Sequence, residues 1–195
     1  MKMMNNLAID YSLNSPACCV YNGDLSEYKL YYVCKAPKTK KSKDLKFLTL
    51  NHNILNGVYL SDWDIVYERY RNNAKFITHI LDSNDVKKVL MEDYAFASKG
   101  LVFNIGENGW ELKRTLYYDY SLIVEKIAPK TIKKFFTGNG NANKLLMYDT
   151  FVEKTGLSLC DIFETDKKDC NPIQDIVDAY ALAYYDINNK GTLDR

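Results

Sequence analysis

The strongest constraint on the fold is a C-terminal segment that carries two acids on an otherwise apolar surface. Residues 173–186 read IQDIVDAYALAYYD, with a proline just ahead of them, which predicts a helix that begins near Pro172. Because so few of its positions are polar, we expect this helix to be buried against a sheet. Asp175 and Asp178 are three residues apart and therefore project from one helical face. Burying them together costs free energy unless cations neutralise them.

The remainder of the chain predicts the sheet. Three β-rich runs come first and predict an antiparallel meander, and later strands alternate with helices, which indicates parallel pairs. The fold class is therefore α/β, with a mixed five-stranded sheet flanked by helices. The predicted strands are residues 7–11, 16–21, 29–34, 86–91 and 131–136. The predicted helices are residues 62–81, 107–124, 142–154 and 173–186. With 195 residues, no internal repeat and no long linker, we expect one domain over 1–195.

Two further acids stand at predicted strand ends. Asp10 closes the first strand and Glu92 follows the fourth. Together with Asp175 and Asp178 they would supply oxygen ligands for Mg²⁺ or Mn²⁺. In the alternative, Asp10 and Glu92 only cap strand edges, while the two acids of the helix face water.

The charge of the chain is balanced overall but segregated along the sequence. A net charge of +1 excludes a globally basic coat. Between positions 126 and 148 there are five lysines and no acid, whereas positions 149–194 contain ten acids. The five lysines are Lys126, Lys130, Lys133, Lys134 and Lys144. This division is expected where a phosphate backbone lies beside a metal site.

Two segments offer phosphate contacts, and each has a plainer alternative. The Gly138-Asn139-Gly140 turn leads into the helix that holds Lys144, so its backbone N–H groups could face a phosphate. It lacks the GxxxxGK[ST] spacing, and such a turn is often no more than a turn. Residues 35–46 hold six lysines and one acid, which indicates a solvated loop or, less simply, a DNA-facing one.

Four motifs in chain order resemble those of RuvC-type Holliday junction resolvases. They are AIDYSLN at 8–14, MEDYAFA at 91–97, the stretch 133–144 ending in GNGNANK, and QDIVDA at 174–179. The resemblance covers nearly the whole chain and is nearest to phage-type members, because Tyr11 stands where bacterial members usually have proline. It implies an RNase H-like nuclease fold, a homodimer and a metal-dependent endodeoxyribonuclease. Such an enzyme cleaves four-way DNA junctions by paired nicks that leave 5′-phosphate and 3′-hydroxyl ends.

The same resemblance implies roles for individual residues. The catalytic acids of the family match Asp10, Glu92, Asp175 and Asp178, which would hold two Mg²⁺ or Mn²⁺ ions. Its DNA-contacting lysines match Lys133 and Lys144.

Five further residues are candidates for DNA contact. Lys134 extends the basic run, and Ser12 and Asn14 suit a phosphate contact and a β-turn equally well. Tyr94 and Phe96 would stack on an unpaired base at the centre of a junction or pack beneath the next helix.

Two other functions remain open at this stage. One is a relaxed nuclease of the same fold that acts on flaps, forks or RNA–DNA hybrids. The other is a metal-free DNA-binding module, against which the presence of all four acids argues. Five cysteines without a CxxC pair favour free thiols in a reducing cytosol, and no apolar run is long enough to span a membrane. We therefore expect a cytoplasmic protein of a bacterial or phage-infected cell, without membrane attachment.

The predicted helix 107–124 carries two apolar stripes. One stripe consists of Leu112, Leu116, Tyr120 and Ile123, and the other of Trp110, Tyr117 and Val124. A single sheet covers only one of them, so the second predicts a partner in a two-fold dimer. In the alternative, residues 35–57 of the same chain cover the second stripe.

Overall fold

The structure is a computed structural model that describes residues 6–35, 55–60, 66–93 and 102–189. The strands are β1 (Asn6–Asp10), β2 (Ala17–Tyr21), β3 (Tyr28–Lys35), β4 (Leu55–Leu60), β5 (Lys88–Glu92) and β6 (Val124–Ile127). The helices are α1 (Val66–Asp82), α2 (Val102–Tyr120), α3 (Pro129–Thr137), α4 (Lys144–Thr155), α5 (Leu159–Ile162) and α6 (Ile173–Asn188). Within these ranges no helix has the length and apolarity that a membrane span needs.

The strands form one mixed sheet in the order β4-β3-β2-β1-β5-β6. The first three strands pair antiparallel, which confirms the meander, and β5 pairs parallel to both β1 and β6. The mixed α/β class is therefore confirmed. The described residues give the sheet six strands rather than five, because β4 and β6 were not predicted and residues 131–136 are not a strand.

Alternation along β1 divides the core into two layers. Ala8 points to one face, where it packs in a cluster with Ile176 and Val177 of α6. Leu7 and Ile9 point to the other face and pack in a cluster that includes residues of α1 and α2. The predicted burial of the last helix is confirmed, since most of its side chains are inaccessible. Helix α6 thus crosses the sheet with its acids held over the end of β1.

The prediction of a strand at 131–136 is wrong, because this segment lies inside α3. Pro129 opens the helix, where its fixed φ and missing N–H are tolerated. Ile132 and Phe136, four residues apart, are both buried on the side that faces the core. Gly138, with φ of 80°, ends the helix in the left-handed conformation typical of that position.

The predicted helix 107–124 begins earlier and ends earlier in the structure. Helix α2 starts at Val102 and stops at Tyr120, and Ser121 leaves it with φ of 55°. The Leu122 N–H then donates to the Leu116 carbonyl oxygen at 2.9 Å. Val124 begins β6 instead of completing a helical stripe, because parallel pairing with β5 replaces helical hydrogen bonds there.

Candidate active site

The two strand-end acids leave the sheet at the same edge. Asp10 is the last residue of β1 and Glu92 the last residue of β5. These strands are parallel neighbours with Ile9 opposite Met91, so both carboxyl groups emerge beside one another. Each acid is half-buried.

Helix α6 brings the other two acids to the same place. Asp175 lies in the first turn and is only 6% exposed, whereas Asp178, one turn later, is half-buried. The carboxyl groups of Asp175 and Asp10 are hydrogen bonded to each other. The Asp175 Oδ2 atom is buried and has no hydrogen-bond partner among the described residues. Asp175 therefore does not face water. This finding contradicts, for Asp175, the alternative in which the two acids of the helix are exposed to solvent.

Burial raises the pKa values of all four carboxyl groups, and repulsion by the other acids adds to it for Asp10 and Asp178. For Asp10, burial is the largest cause, followed by the charges of Asp175, Asp178 and Glu92, and its pKa lies well above the usual range. Burial and then Glu92 and Asp175 raise the pKa of Asp178 to about 8. Burial raises the pKa of Glu92 to about 7 and that of Asp175 to about 6. The four groups form one electrostatic unit, which we call the acid cluster.

The acid cluster fits a hard divalent cation in chemistry. Its donors are all carboxylate oxygens, the ligands that Mg²⁺ and Mn²⁺ prefer. The buried, unpaired Oδ2 atom of Asp175 and the raised pKa values are both costs that a cation would remove. Within the described ranges, no three or more His, Cys, Asp or Glu side chains are already arranged so that they could hold a metal ion. The four acids are close enough to interact electrostatically, but they do not form a preformed metal site.

We expect the metal-free protein to lose stability as pH rises from 5 to 8. Unfolded carboxyl groups lose their protons near pH 4, whereas the folded Asp178 carboxyl group retains its proton up to about pH 8. Between these values the folded state binds more protons, so the free energy of unfolding falls with rising pH. One retained proton lowers the free energy of unfolding by about 1.4 kcal/mol per pH unit, so the loss between pH 5 and 8 is on the order of 4 kcal/mol. Thermal melts in chelator should show a fall of roughly 10 °C.

The matched variant for this experiment is Asp178→Asn, which removes a carboxyl group whose pKa is raised to about 8. Its melting temperature should depend less on pH than that of the wild-type protein. Saturating Mg²⁺ should likewise flatten the wild-type profile, because the cation takes the place of the retained protons. A melting temperature that rises between pH 5 and 8 without metal would contradict the electrostatic description of the cluster.

A small serine network holds Asp175 from the side of β1. The Ser12 and Ser15 hydroxyl oxygens lie 3.2 Å apart, and the Ser15 N–H donates to Ser12 Oγ at 3.1 Å. Asn171 Nδ2, just ahead of α6, donates to Ser15 Oγ at 2.7 Å. Hydrogen bonds from Ser15 and Ser12 moderate the raised pKa of Asp175. Ser15 and Asn171 were not predicted; the S-x-x-S spacing after Asp10 is the signal that was available.

The remaining loop candidates are distributed around a cleft. A cleft of about 200 Å³ is lined by Asp10, Glu92, Asp93 and Ile105 and by residues 11–14. Its volume is sufficient for small ions and water. Asn14, one of the lining residues, accepts a hydrogen bond at Oδ1 from Arg69 at 3.0 Å. The predicted stacking residues, Tyr94 and Phe96, lie outside the described residues.

Lysines from α3 and α4 border the acid cluster. Lys133 is half-buried on α3, and its positive charge lowers the pKa values of Glu92 and Asp178. The charge of exposed Lys144, the first residue of α4, does the same for both acids of α6. Lys134 is exposed on α3, beside Lys133. The basic half of the chain thus meets the acid cluster, as the charge pattern predicted.

The glycine turn between α3 and α4 is built to keep these lysines close to α6. A Cβ atom at Gly140 would lie 3.1 Å from the Lys130 carbonyl oxygen, so glycine permits the close approach. Gln174 Nε2 donates to the Lys144 carbonyl oxygen at 3.3 Å. That bond connects the start of α4 to the residue preceding Asp175.

Comparison with known proteins gives matches among solved structures. No protein-family model and no curated protein matches the sequence. Thermus thermophilus RuvC superimposes with a TM-score of 0.57 at 15% identity, over 96% of this chain and 96% of that one. The chain shares the RNase H-like fold of RuvC.

Two further structures support this result. T. thermophilus RuvC in complex with Holliday junction substrate gives a TM-score of 0.58 at 15% identity, over 93% of this chain and 92% of that one. The yeast mitochondrial Holliday junction resolvase gives 0.56 at 10% identity, over 95% of this chain and 80% of that one. At these identities the likeness is one of fold, and the predicted RNase H-like architecture is confirmed.

Proposed function

We propose that the protein is a divalent-metal-dependent endonuclease that resolves four-way DNA junctions by paired nicks. It would be a phage-type member of the RuvC family, active in the cytoplasm of a bacterial or phage-infected cell. The convergence of four carboxyl groups from β1, β5 and α6 at one sheet edge carries the proposal. Its setting in a RuvC-like fold, with lysines along one side, supports DNA as the substrate.

The residues of the acid cluster would hold Mg²⁺ or Mn²⁺. Such ions would supply the Lewis acidity needed to activate a water molecule and to stabilise the departing 3′ oxygen, a chemistry that leaves 5′-phosphate and 3′-hydroxyl ends. Ser12 and Ser15 orient the Asp175 carboxylate by hydrogen bonds. Lys133 and Lys144 bind the phosphates that flank the cleaved bond and hold the acids in their charged form.

We expect Lys133→Ala and Lys144→Ala each to weaken junction binding and to reduce its salt dependence. Each lysine that neutralises a phosphate contributes about one released counterion to the slope of log K against log salt. Titrations at several salt concentrations measure this slope directly. Lys87→Ala is a suitable control, because Lys87 is exposed and paired with Asp85 beyond the opposite end of β5. Unchanged slopes in both α3 and α4 variants would locate the DNA path elsewhere, for instance along residues 35–46.

Two identical sites would explain paired nicks, and α2 offers the surface for a homodimer. Leu112 and Leu116 are fully buried against the sheet layer. On the outer face Phe103, Trp110 and Tyr117 are 83%, 63% and 57% exposed, at seven-residue spacing. Most of the alternative cover, residues 35–57, lies outside the described ranges. A two-fold dimer through this face suits a four-way junction, which has approximate two-fold symmetry.

A cleavage assay on matched substrates tests the function. The protein is incubated with Mg²⁺ or Mn²⁺ and with labelled four-way junction, fork, flap, RNA–DNA hybrid and linear duplex, and the cut positions are mapped. We expect symmetric nicks on opposing strands of the junction and ends that a ligase can seal. Equal cutting of forks, flaps or hybrids would favour the relaxed nuclease. Binding without cleavage in either metal would favour the DNA-binding module and contradict the proposal.

A further inference from the structure

A buried amide pair connects α1 and α2 to the loop that follows Asp10. Asn73 of α1 and Asn108 of α2 are both completely inaccessible to solvent. Asn73 Nδ2 donates to the backbone carbonyl oxygen of Leu13 at 3.1 Å and to Asn108 Oδ1 at 3.3 Å. Leu13 lies three residues beyond Asp10 and lines the cleft of the acid cluster.

The amide pair is incomplete. In the described part of the chain, Asn73 Oδ1 and Asn108 Nδ2 are buried and have no hydrogen-bond partner. Two side-chain amides can exchange two hydrogen bonds, but here one NH₂ group is divided between the loop and the partner amide. Each unpaired buried group costs free energy, and apolar side chains of similar volume would pack the two helices at lower cost. The pair is therefore poorly suited to stabilising the core and well placed to hold the loop.

A second contact from α1 holds the next residue of the same loop. Arg69, one turn before Asn73, donates to Asn14 Oδ1 at 3.0 Å. On the other side of Leu13, Ser12 bonds to Ser15, and both hydroxyls bond to the Asp175 carboxylate. Contacts thus run without interruption from α1 through the loop to the acid cluster.

We propose that Asn73 is a positioning residue for residues 11–16, whereas its neighbour Asn108 of α2 accepts a hydrogen bond from Asn73 and, among the described residues, makes none to this loop. By fixing the Leu13 carbonyl, Asn73 keeps Ser12 and Ser15 turned towards Asp175. The inference rests on the proposed function only in taking the acid cluster as the catalytic centre.

The test replaces Asn73 with leucine, which has a similar volume and no amide. Hydrogen exchange of residues 11–16 is measured in the metal-free protein, together with its melting temperature. We expect exchange to accelerate about tenfold or more because the loop loses its tether, and the melting temperature to fall by a few degrees because Asn108 Oδ1 and the Leu13 carbonyl lose their donor. Asn72→Leu is the matched control, since half-buried Asn72 donates to the Glu68 carbonyl oxygen of its own helix at 2.7 Å.

A second variant separates loop positioning from packing. Asn108→Leu leaves the bond from Asn73 to Leu13 in place, so exchange of the loop should match the wild-type protein while the melting temperature rises. In junction cleavage, Asn73→Leu should lower kcat about tenfold with KM unchanged, whereas Asn108→Leu should be close to wild type. Should Asn73→Leu not fold, Asn73→Ala provides the same comparison.

The outcomes distinguish this inference from the proposed function. Loop exchange that is unchanged in Asn73→Leu, or altered equally in Asn108→Leu, would overturn the positioning role. A wild-type protein that cuts no branched DNA would overturn the proposed function, and the exchange result would still decide whether Asn73 holds the loop.

Discussion

Asp175→Asn is expected to abolish DNA cleavage, by about three orders of magnitude or more, while junction binding is retained or becomes tighter. Asp175 is the most buried of the four acids, bonds to Asp10 and presents an unpaired oxygen to the cluster. Asparagine keeps the shape but removes a negative charge, which weakens metal binding and reduces the repulsion of phosphate. Single-turnover cleavage in Mg²⁺ and equilibrium binding in chelator measure the two effects separately.

Two companion variants define the meaning of this result. Glu92→Gln should behave like Asp175→Asn, because Glu92 belongs to the same acid cluster. Asp149→Asn should cleave normally, because Asp149 is exposed on α4 and paired with Lys168 at 2.8 Å. Neither cluster variant should lower the melting temperature of the metal-free protein, since each removes one of several repelling charges. Equal losses of binding and cleavage would assign the acids to DNA binding and count against a metal role.

The acids could be predicted from the sequence because local rules place them. An apolar helix must lie on the sheet, acids three residues apart share its face, and parallel strands end at one edge. Those three rules, applied to Asp10, Glu92, Asp175 and Asp178, gather the cluster without any knowledge of tertiary contacts. The strand register and the packing of α6 bear out each of them.

The errors in the fold arise where local preference and context disagree. TIKKFF at 131–136 is rich in β-branched and aromatic residues, but Pro129 and the four-residue spacing of Ile132 and Phe136 favour the helix that forms. Strand β6 is only four residues long and has two exposed positions. It is too short to show the alternation of buried and exposed residues by which a strand is recognised in a sequence. Strand β4 contains Asn56-Gly57, which is a turn signal in sequence and pairs with β3 in the fold.

The polar supports of the site could not be predicted from spacing. Asn171 and Ser15 are 156 positions apart in sequence, and Asn73 and Leu13 are 60 positions apart. Such contacts depend on how α1 and α6 dock on the sheet, and no local pattern reports that. The sequence therefore indicated the four acids and Ser12 of the candidate site but missed Ser15, Asn73 and Asn171.

Trp110→Glu combined with Tyr117→Glu is expected to yield a folded monomer that makes, at best, uncoordinated single nicks. Both rings are more than half exposed on α2 and continue a stripe with Phe103, so they contribute little to the core of the isolated chain. Two carboxylates in an apolar interface must lose their hydration without gaining partners, which opposes association. Folding should survive because Leu112 and Leu116, on the opposite face, remain fully buried.

Light scattering and circular dichroism on the wild-type and double-variant proteins measure association and folding separately. Ile123→Glu is the matched control: Ile123 is 78% exposed and apolar but lies beyond the end of α2, so the dimer should persist. On a four-way junction, the wild-type dimer has both sites in one complex and should release linear duplex products without an accumulating nicked form. The monomeric variant must dissociate and rebind between cuts, so singly nicked junctions should accumulate in proportion to the dilution of the protein. A wild-type protein that stays monomeric when bound to junction would refute the dimer, because one acid cluster would then have to cut both strands in turn.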